Sequence, residues 1–102
     1  MNFVHNDLKL ENILVGHEDP NQIYLIDFGL ATRWRDPMTN RHASKIHLFK
    51  FSGNFRFATR NQCLGYKTSR RDDIQSTFYI LIYLLNKNKL PWRDPDPGQD
   101  AD

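Results

Sequence analysis

The chain has 102 residues, room for one small domain. With 39% hydrophobic and 25% charged residues, its composition is that of a globular protein rather than a disordered or fibrous one. Net charge is only +2, but ten Lys or Arg against a single acid, Asp36, fall between Arg33 and Arg71, while Asp94, Asp96, Asp100 and Asp102 crowd the last residues. That asymmetry points to a basic working surface facing anions. The single cysteine, Cys63, excludes an intrachain disulfide, and nothing signals an oxidising compartment. No charged stretch followed by an apolar run opens the chain, so no secretory leader is expected. The longest apolar run, Phe78 to Leu85, is far short of a membrane span. The expectation is a soluble intracellular protein, cytoplasmic or nuclear, with no membrane partner.

Glu11 to Val15 reads as a short strand. Asp19, Pro20 and Asn21 then form a turn, and Ile23 to Asp27, rich in β-formers, reads as a second strand. Together they predict a hairpin, closed off by Gly29. From Ala31 to about Lys67 there is no sustained periodicity, and a loop of that length in a small domain is functional or disordered. Its phenylalanines at 49, 51, 55 and 57 are expected to dock onto the fold rather than to form a sheet strand. The clearest helix follows Ser69. Asp72 stands three residues after this N-cap, and Asp72 with Asp73 suits the positive end of the helix dipole. From Phe78 to Leu85 the helix is apolar all round, which predicts burial on every side. Pro91 blocks its simple continuation.

The chemistry lies in "HNDLKLEN", His5 to Asn12, and in "DFG", Asp27 to Gly29. Antiparallel pairing of the two strands brings Asn12 and Asp27 out at the same end. An amide oxygen and a carboxylate are hard ligands suited to Mg²⁺. Asp7 and Lys9 lie in the loop feeding the first strand. One edge therefore collects a potential base, a cation and two metal ligands, the set that phosphoryl transfer from a nucleotide needs. Any one of these residues alone is unremarkable; the ordered combination is not.

His5, Asp7, Leu8 and Asn12, followed by Asp27-Phe28-Gly29, resemble the catalytic loop and metal-binding signature of protein kinases. Further on, "GNFRFATRN" (Gly53 to Asn61), "SRRDD" (Ser69 to Asp73) and "LPW" (Leu90 to Trp92) resemble the casein kinase I family of serine/threonine kinases. The likeness covers Asn2 to Trp92. It implies an α+β chain with a partial protein-kinase-like fold, mainly the helical C-terminal lobe with a short β-hairpin and without the N-terminal lobe. Residues 2–92 are the expected kinase fragment and 93–102 an acidic disordered tail.

By the same resemblance Asp7 is the catalytic base and Lys9 contacts the γ-phosphate of ATP. Asn12 and Asp27 hold Mg²⁺, and with Lys9 form the nucleotide-binding set. Asp73 anchors the catalytic loop, and His5 is a packing residue. Arg56 sits in a pocket for an acidic or phosphorylated group of the protein substrate, with Arg70 and Arg71 as neighbours. Some positions depart from the pattern. Asn6 replaces the arginine that in many kinases holds a phosphorylated activation loop, and an amide cannot make that bidentate contact. Leu10 replaces a proline, and Gln75 a glutamate. Asn54 stands where the family has a threonine whose hydroxyl bridges the base and the lysine. No glycine-rich loop or strand lysine precedes Asn2, so the chain alone is expected to be inactive or nearly so. The rival readings are a non-catalytic, pseudokinase-like module binding acidic partners and, less favoured, a nucleic-acid binder using Arg33 to Arg71. Retention of Asp7, Lys9, Asn12 and Asp27 favours the enzyme, because binding alone has no chemical need for all four.

Overall fold

The computed structural model describes residues 2–48 and 50–92; Phe49 and the expected acidic tail at 93–102 lie outside the described residues. It is an α+β arrangement of two short antiparallel sheets and two helices. Strand β1 (Phe3–Val4) leads into the polar loop. Strands β2 (Ile13–Val15) and β3 (Ile23–Leu25) form the hairpin, and β4 (Thr32–Arg33) returns to pair with β1. Helix α1 (Arg60–Cys63) and helix α2 (Arg70–Leu85) follow.

The hairpin is present in the expected register, with Ile13 opposite Leu25 and Val15 opposite Ile23. It is shorter than expected because Leu10–Asn12 coil into a 3₁₀ turn before the strand begins. Helix α2 starts where the capping pattern put it: the Ser69 N–H donates to the Asp72 carboxylate at 2.8 Å. The segment from Ala31 to Lys67 is largely irregular, but α1 interrupts it. Thr59 caps α1 in a full capping box with Gln62. Of the phenylalanines, Phe57 docks into the core, whereas Phe51 stacks face to face on the exposed Phe55 at 4.3 Å.

The core is small. Leu8, Phe57, Ile80 and Leu90 are buried together, with Ile13, Tyr79 and Tyr83 packed against them. Helix α2 therefore buries one narrow face through Asp72, Ser76 and Ile80. This corrects the expectation of burial on every side. Ile74, Phe78, Leu81, Ile82, Leu84 and Leu85 are all exposed, Leu85 at 86%. The described chain is a slab only 18 Å thick, so neighbours pack on one side of the helix and nothing among the described residues covers the other. No helix of the described residues is long and apolar enough to cross a membrane.

Stability should follow this one-sided burial. Ile80→Ala, which empties a site 4% exposed, is expected to cost roughly 2–5 kcal/mol. Phe78→Ala, at 59% exposure, should cost less than about 1 kcal/mol. Urea denaturation of the two variants checks this, and equal losses would mean that the outer face of α2 is covered in solution.

Candidate active site

The loop from His5 to Asn12 is polar, yet His5, Asn6, Asp7, Leu8 and Asn12 are all buried. Buried polar groups need partners, and each here has a defined one. Two backbone donors at the loop's start, His5 N–H and Asn6 N–H, reach the Asp73 carboxylate at 2.6 and 3.1 Å. Asp73 thus anchors the loop from the first turn of α2, where the sequence put it. Its neighbour Asp72 faces elsewhere, accepting from the Thr59 hydroxyl at 2.7 Å and from Ser69 N–H. Successive helical residues point about 100° apart, so the two acids serve different segments.

Asp7 is 7% exposed. Its Oδ1 accepts from Asn54 Nδ2 at 3.0 Å. Its Oδ2 has only long contacts, to Asn12 Nδ2 at 3.5 Å and Lys9 Nζ at 3.9 Å. Oδ1 is therefore committed to positioning, and Oδ2 is the oxygen open to a further donor. Asn54 also donates to the Leu8 carbonyl at 3.0 Å and accepts from Phe57 N–H at 2.9 Å. The longer amide holds Asp7 and the loop backbone together, a role the sequence alone did not reveal.

Asn12 spends its NH₂ group on the Asp7 carbonyl at 2.9 Å, which leaves its Oδ1 as an acceptor. The Asn12 carbonyl accepts from Ile26 N–H at 3.0 Å, so residue 12 lies across from residue 26, one position before Asp27. Asp27 is exposed and has a φ of 61°, and its Oδ1 accepts from Gly29 N–H at 3.3 Å. The hairpin thus brings an amide oxygen and a carboxylate to one end, as expected. No group of three or more His, Cys, Asp or Glu among the described residues could hold a metal. Two oxygens do not make a protein cage, and a cation held by them would need waters or substrate phosphates to complete its shell.

His5 links the loop to the segment that carries Asp27. Its Nδ1 accepts from Asp7 N–H at 3.1 Å, which leaves Nε2 to donate to the Ile26 carbonyl at 2.9 Å. Its ring meets the Phe28 ring edge-on at 4.8 Å. His5 thus packs against Phe28 and ties the loop backbone to Ile26.

Asn6 ties the loop to its neighbouring segments. Its Nδ2 donates to the Leu30 carbonyl and to Thr32 Oγ1, both at 2.8 Å, and its Oδ1 accepts from the Thr68 hydroxyl. Its own carbonyl accepts from Gln62 Nε2 at 2.8 Å. One neutral side chain therefore fastens the segment after Asp27 to the segment before α2. Asn6 has a φ of 74°, a left-handed conformation that asparagine tolerates better than most residues. Gly53 is forced to be glycine beside it, because a Cβ there would lie 2.6 Å from the Asn6 carbonyl oxygen.

The three arginines assigned to one anion pocket separate. Arg70 and Arg71 line a groove of about 570 Å³ together with His42, Lys45 and Lys67. Arg56 instead lies over the Tyr83 ring at 5.1 Å and donates to its hydroxyl at 2.9 Å. Tyr83 is roughly 20 Å further along α2 than Arg70. Arg56 and the pair therefore face different parts of the surface.

No known protein-family model matches the chain. The site is accordingly read from its own geometry. Asn6→Gly should lower stability by about 1–3 kcal/mol through its lost hydrogen bonds. Asn6→Ala should cost about 1 kcal/mol more, because alanine pays for the left-handed backbone. Thermal denaturation distinguishes the two, and equal losses would show that the backbone conformation at residue 6 is not maintained.

Proposed function

We propose that the chain carries the catalytic loop and metal-binding hairpin of a casein kinase I-like serine/threonine protein kinase, which transfers the γ-phosphoryl group of ATP to protein hydroxyls. The observation that carries this reading is the setting of Asp7. It is a buried carboxylate with one oxygen held by Asn54 and the other open, on a loop tied to α2 by Asp73 and close to Lys9. A carboxylate so placed can accept the proton of an attacking hydroxyl at Oδ2. Lys9, half-buried on the same loop, supplies a mobile cation for the oxygens of the group in transfer.

Asn12 Oδ1 and the Asp27 carboxylate are the candidate ligands for Mg²⁺, which when bound spreads and neutralises phosphate charge. The site's other residues orient. Asn54 and Asn12 fix the Asp7 side chain and backbone, and His5 couples that backbone to the strand leading to Asp27. Asn6 holds the neighbouring segments with neutral hydrogen bonds, so the arrangement needs no phosphate on the segment after Asp27. Protein substrates with acidic or already phosphorylated flanks fit the excess of cations between Arg33 and Arg71. The same cations favour a second reading, a non-catalytic module that holds acidic partners.

The test joins this chain to the nucleotide-binding lobe of a casein kinase I-type enzyme and measures phosphate transfer to Ser/Thr peptides. Asp7→Asn is expected to lower kcat by roughly 10²–10⁴-fold with little change in KM for ATP. Asp27→Asn should raise the Mg²⁺ concentration needed for half-maximal rate. Parental turnover in both variants would show that the assigned roles are wrong and would leave the non-catalytic reading standing.

A further inference from the structure

The peptide that joins Asn6 to Asp7 is held at both ends. Its N–H, that of Asp7, donates to His5 Nδ1 at 3.1 Å, and its carbonyl, that of Asn6, accepts from Gln62 Nε2 at 2.8 Å. A peptide plane is rigid, so pinning both ends sets the direction in which the chain enters Asp7. The same Gln62 nitrogen donates to the Ser52 carbonyl at 3.1 Å. Ser52 lies two residues before Asn54, whose amide grips Asp7 Oδ1 and the Leu8 carbonyl. Gln62 therefore reaches both arms that orient the carboxylate: the loop that carries it and the segment that holds its Oδ1.

Gln62 is buried, and both ends of its amide are in use. As the third residue of α1 it accepts at Oε1 from Thr59 N–H at 3.2 Å, which closes the capping box. A glutamate serves that cap equally well. It could not supply the two donors of the amide nitrogen, one for Asn6 and one for Ser52. The cap asks for an oxygen alone, whereas the nitrogen joins segments 56 and 10 residues away. These segments meet closely. A Cβ on Gly53 would lie 2.6 Å from the Asn6 carbonyl oxygen and 2.9 Å from Gln62 Nε2. The base on which Gln62 stands is itself fixed, since Thr59 is wholly buried and its hydroxyl donates to Asp72 in the first turn of α2.

We infer that Gln62 is a positioning residue for Asp7: its amide locks the segment 52–54 onto the loop 6–8, so that Asn54 keeps Oδ1 and leaves Oδ2 to the attacking hydroxyl. The inference rests on the reading of Asp7 as the base. Once Ser52 is released, the segment slides, Asn54 loses its register with Asp7, and the carboxylate regains rotation about its side-chain bonds. A misplacement of about 1 Å at a reacting group lowers turnover by roughly 10²-fold. Among the described residues, none of the side-chain hydrogen bonds of Gln62 runs to Lys9, Asn12 or Asp27. The loss therefore falls on turnover rather than on nucleotide binding.

The experiment combines spectra of the ¹⁵N-labelled 102-residue chain with turnover of the same chain joined to a nucleotide-binding lobe. In the parent chain both side-chain N–H protons of Gln62 are expected to exchange slowly. Fast exchange of either overturns the inference, and this arm needs no variant. Gln62→Glu keeps the capping oxygen and removes both donors. It should move the Asn54 side-chain signals and speed their exchange, and it should lower kcat by roughly 10–100-fold while KM for ATP changes by less than about twofold. Gln62→Met removes the donors without burying a charge. It should act in the same way, and it carries the comparison if Gln62→Glu fails to fold. Gln75→Glu, the same substitution at an exposed residue of α2, should move neither the Asn54 signals nor kcat. A merely structural role predicts lower stability with both of these unmoved in the Gln62 variants. That result, or a loss confined to KM for ATP, would overturn the inference. Parental turnover in Gln62→Glu beside an inactive Asp7→Asn strikes this inference alone, whereas parental turnover in Asp7→Asn strikes the reading of the base.

Discussion

The Asp73 carboxylate is the contact on which the site's geometry depends. It accepts from two consecutive backbone N–H groups, those of His5 and Asn6, across 67 and 68 residues of chain. Hydrogen bonds to an ionised acceptor contribute more than neutral ones, about 1.5–3 kcal/mol each. Without them two donors at buried residues would be left unpaired. The contact also sets direction. By holding residues 5 and 6 against the first turn of α2, it fixes where the chain leaves for Asp7. The left-handed turn at Asn6 is the backbone's response to that constraint.

The rest of the site is tied down by side-chain amides rather than charges. Asn6, Asn12, Asn54 and Gln62 each donate to backbone or side-chain oxygens of the loop or of the segments facing it. An amide offers both donors and acceptors, so one residue can join segments that share no secondary structure. This is how the irregular stretch between β4 and α1 acquires a definite position although most of it belongs to neither helix nor sheet. The Asn6 side chain joins its neighbouring segments directly, through the Leu30 carbonyl and the hydroxyls of Thr32 and Thr68.

What the sequence made legible was local. The hairpin register and the N-cap of α2 both follow from spacing over a few residues. The anchoring role of Asp73 came from resemblance; in the structure its carboxylate accepts from the His5 and Asn6 N–H groups. The two-residue strands β1 and β4 carried no periodicity long enough to detect, and they exist because segments 28 to 30 residues apart meet. The capping box of α1 was present in the sequence as Thr59 and Gln62, but its helix of four residues has no apolar pattern to flag it. The clasp at Asn6 and the grip of Asn54 on Asp7 depend on partners 24 to 62 residues away, which no local rule reaches. Burial of α2 was misjudged for a related reason. An apolar helix declares that it can be covered, whereas only the packing of the other segments decides how much of it is. Arg56 was placed in an anion pocket by resemblance with Arg70 and Arg71 as neighbours, yet it lies on Tyr83, more than three turns further along α2.

The central claim is that Asp73 holds the loop carrying Asp7, and amide hydrogen exchange of the full chain tests it most directly. The account predicts that the His5 and Asn6 amides are among the slowly exchanging ones. In Asp73→Asn both should exchange markedly faster, together with Asp7 N–H, while amides in the middle of α2 keep their protection. Unchanged protection at His5 and Asn6 in Asp73→Asn, or fast exchange of both in the parent chain, would contradict it.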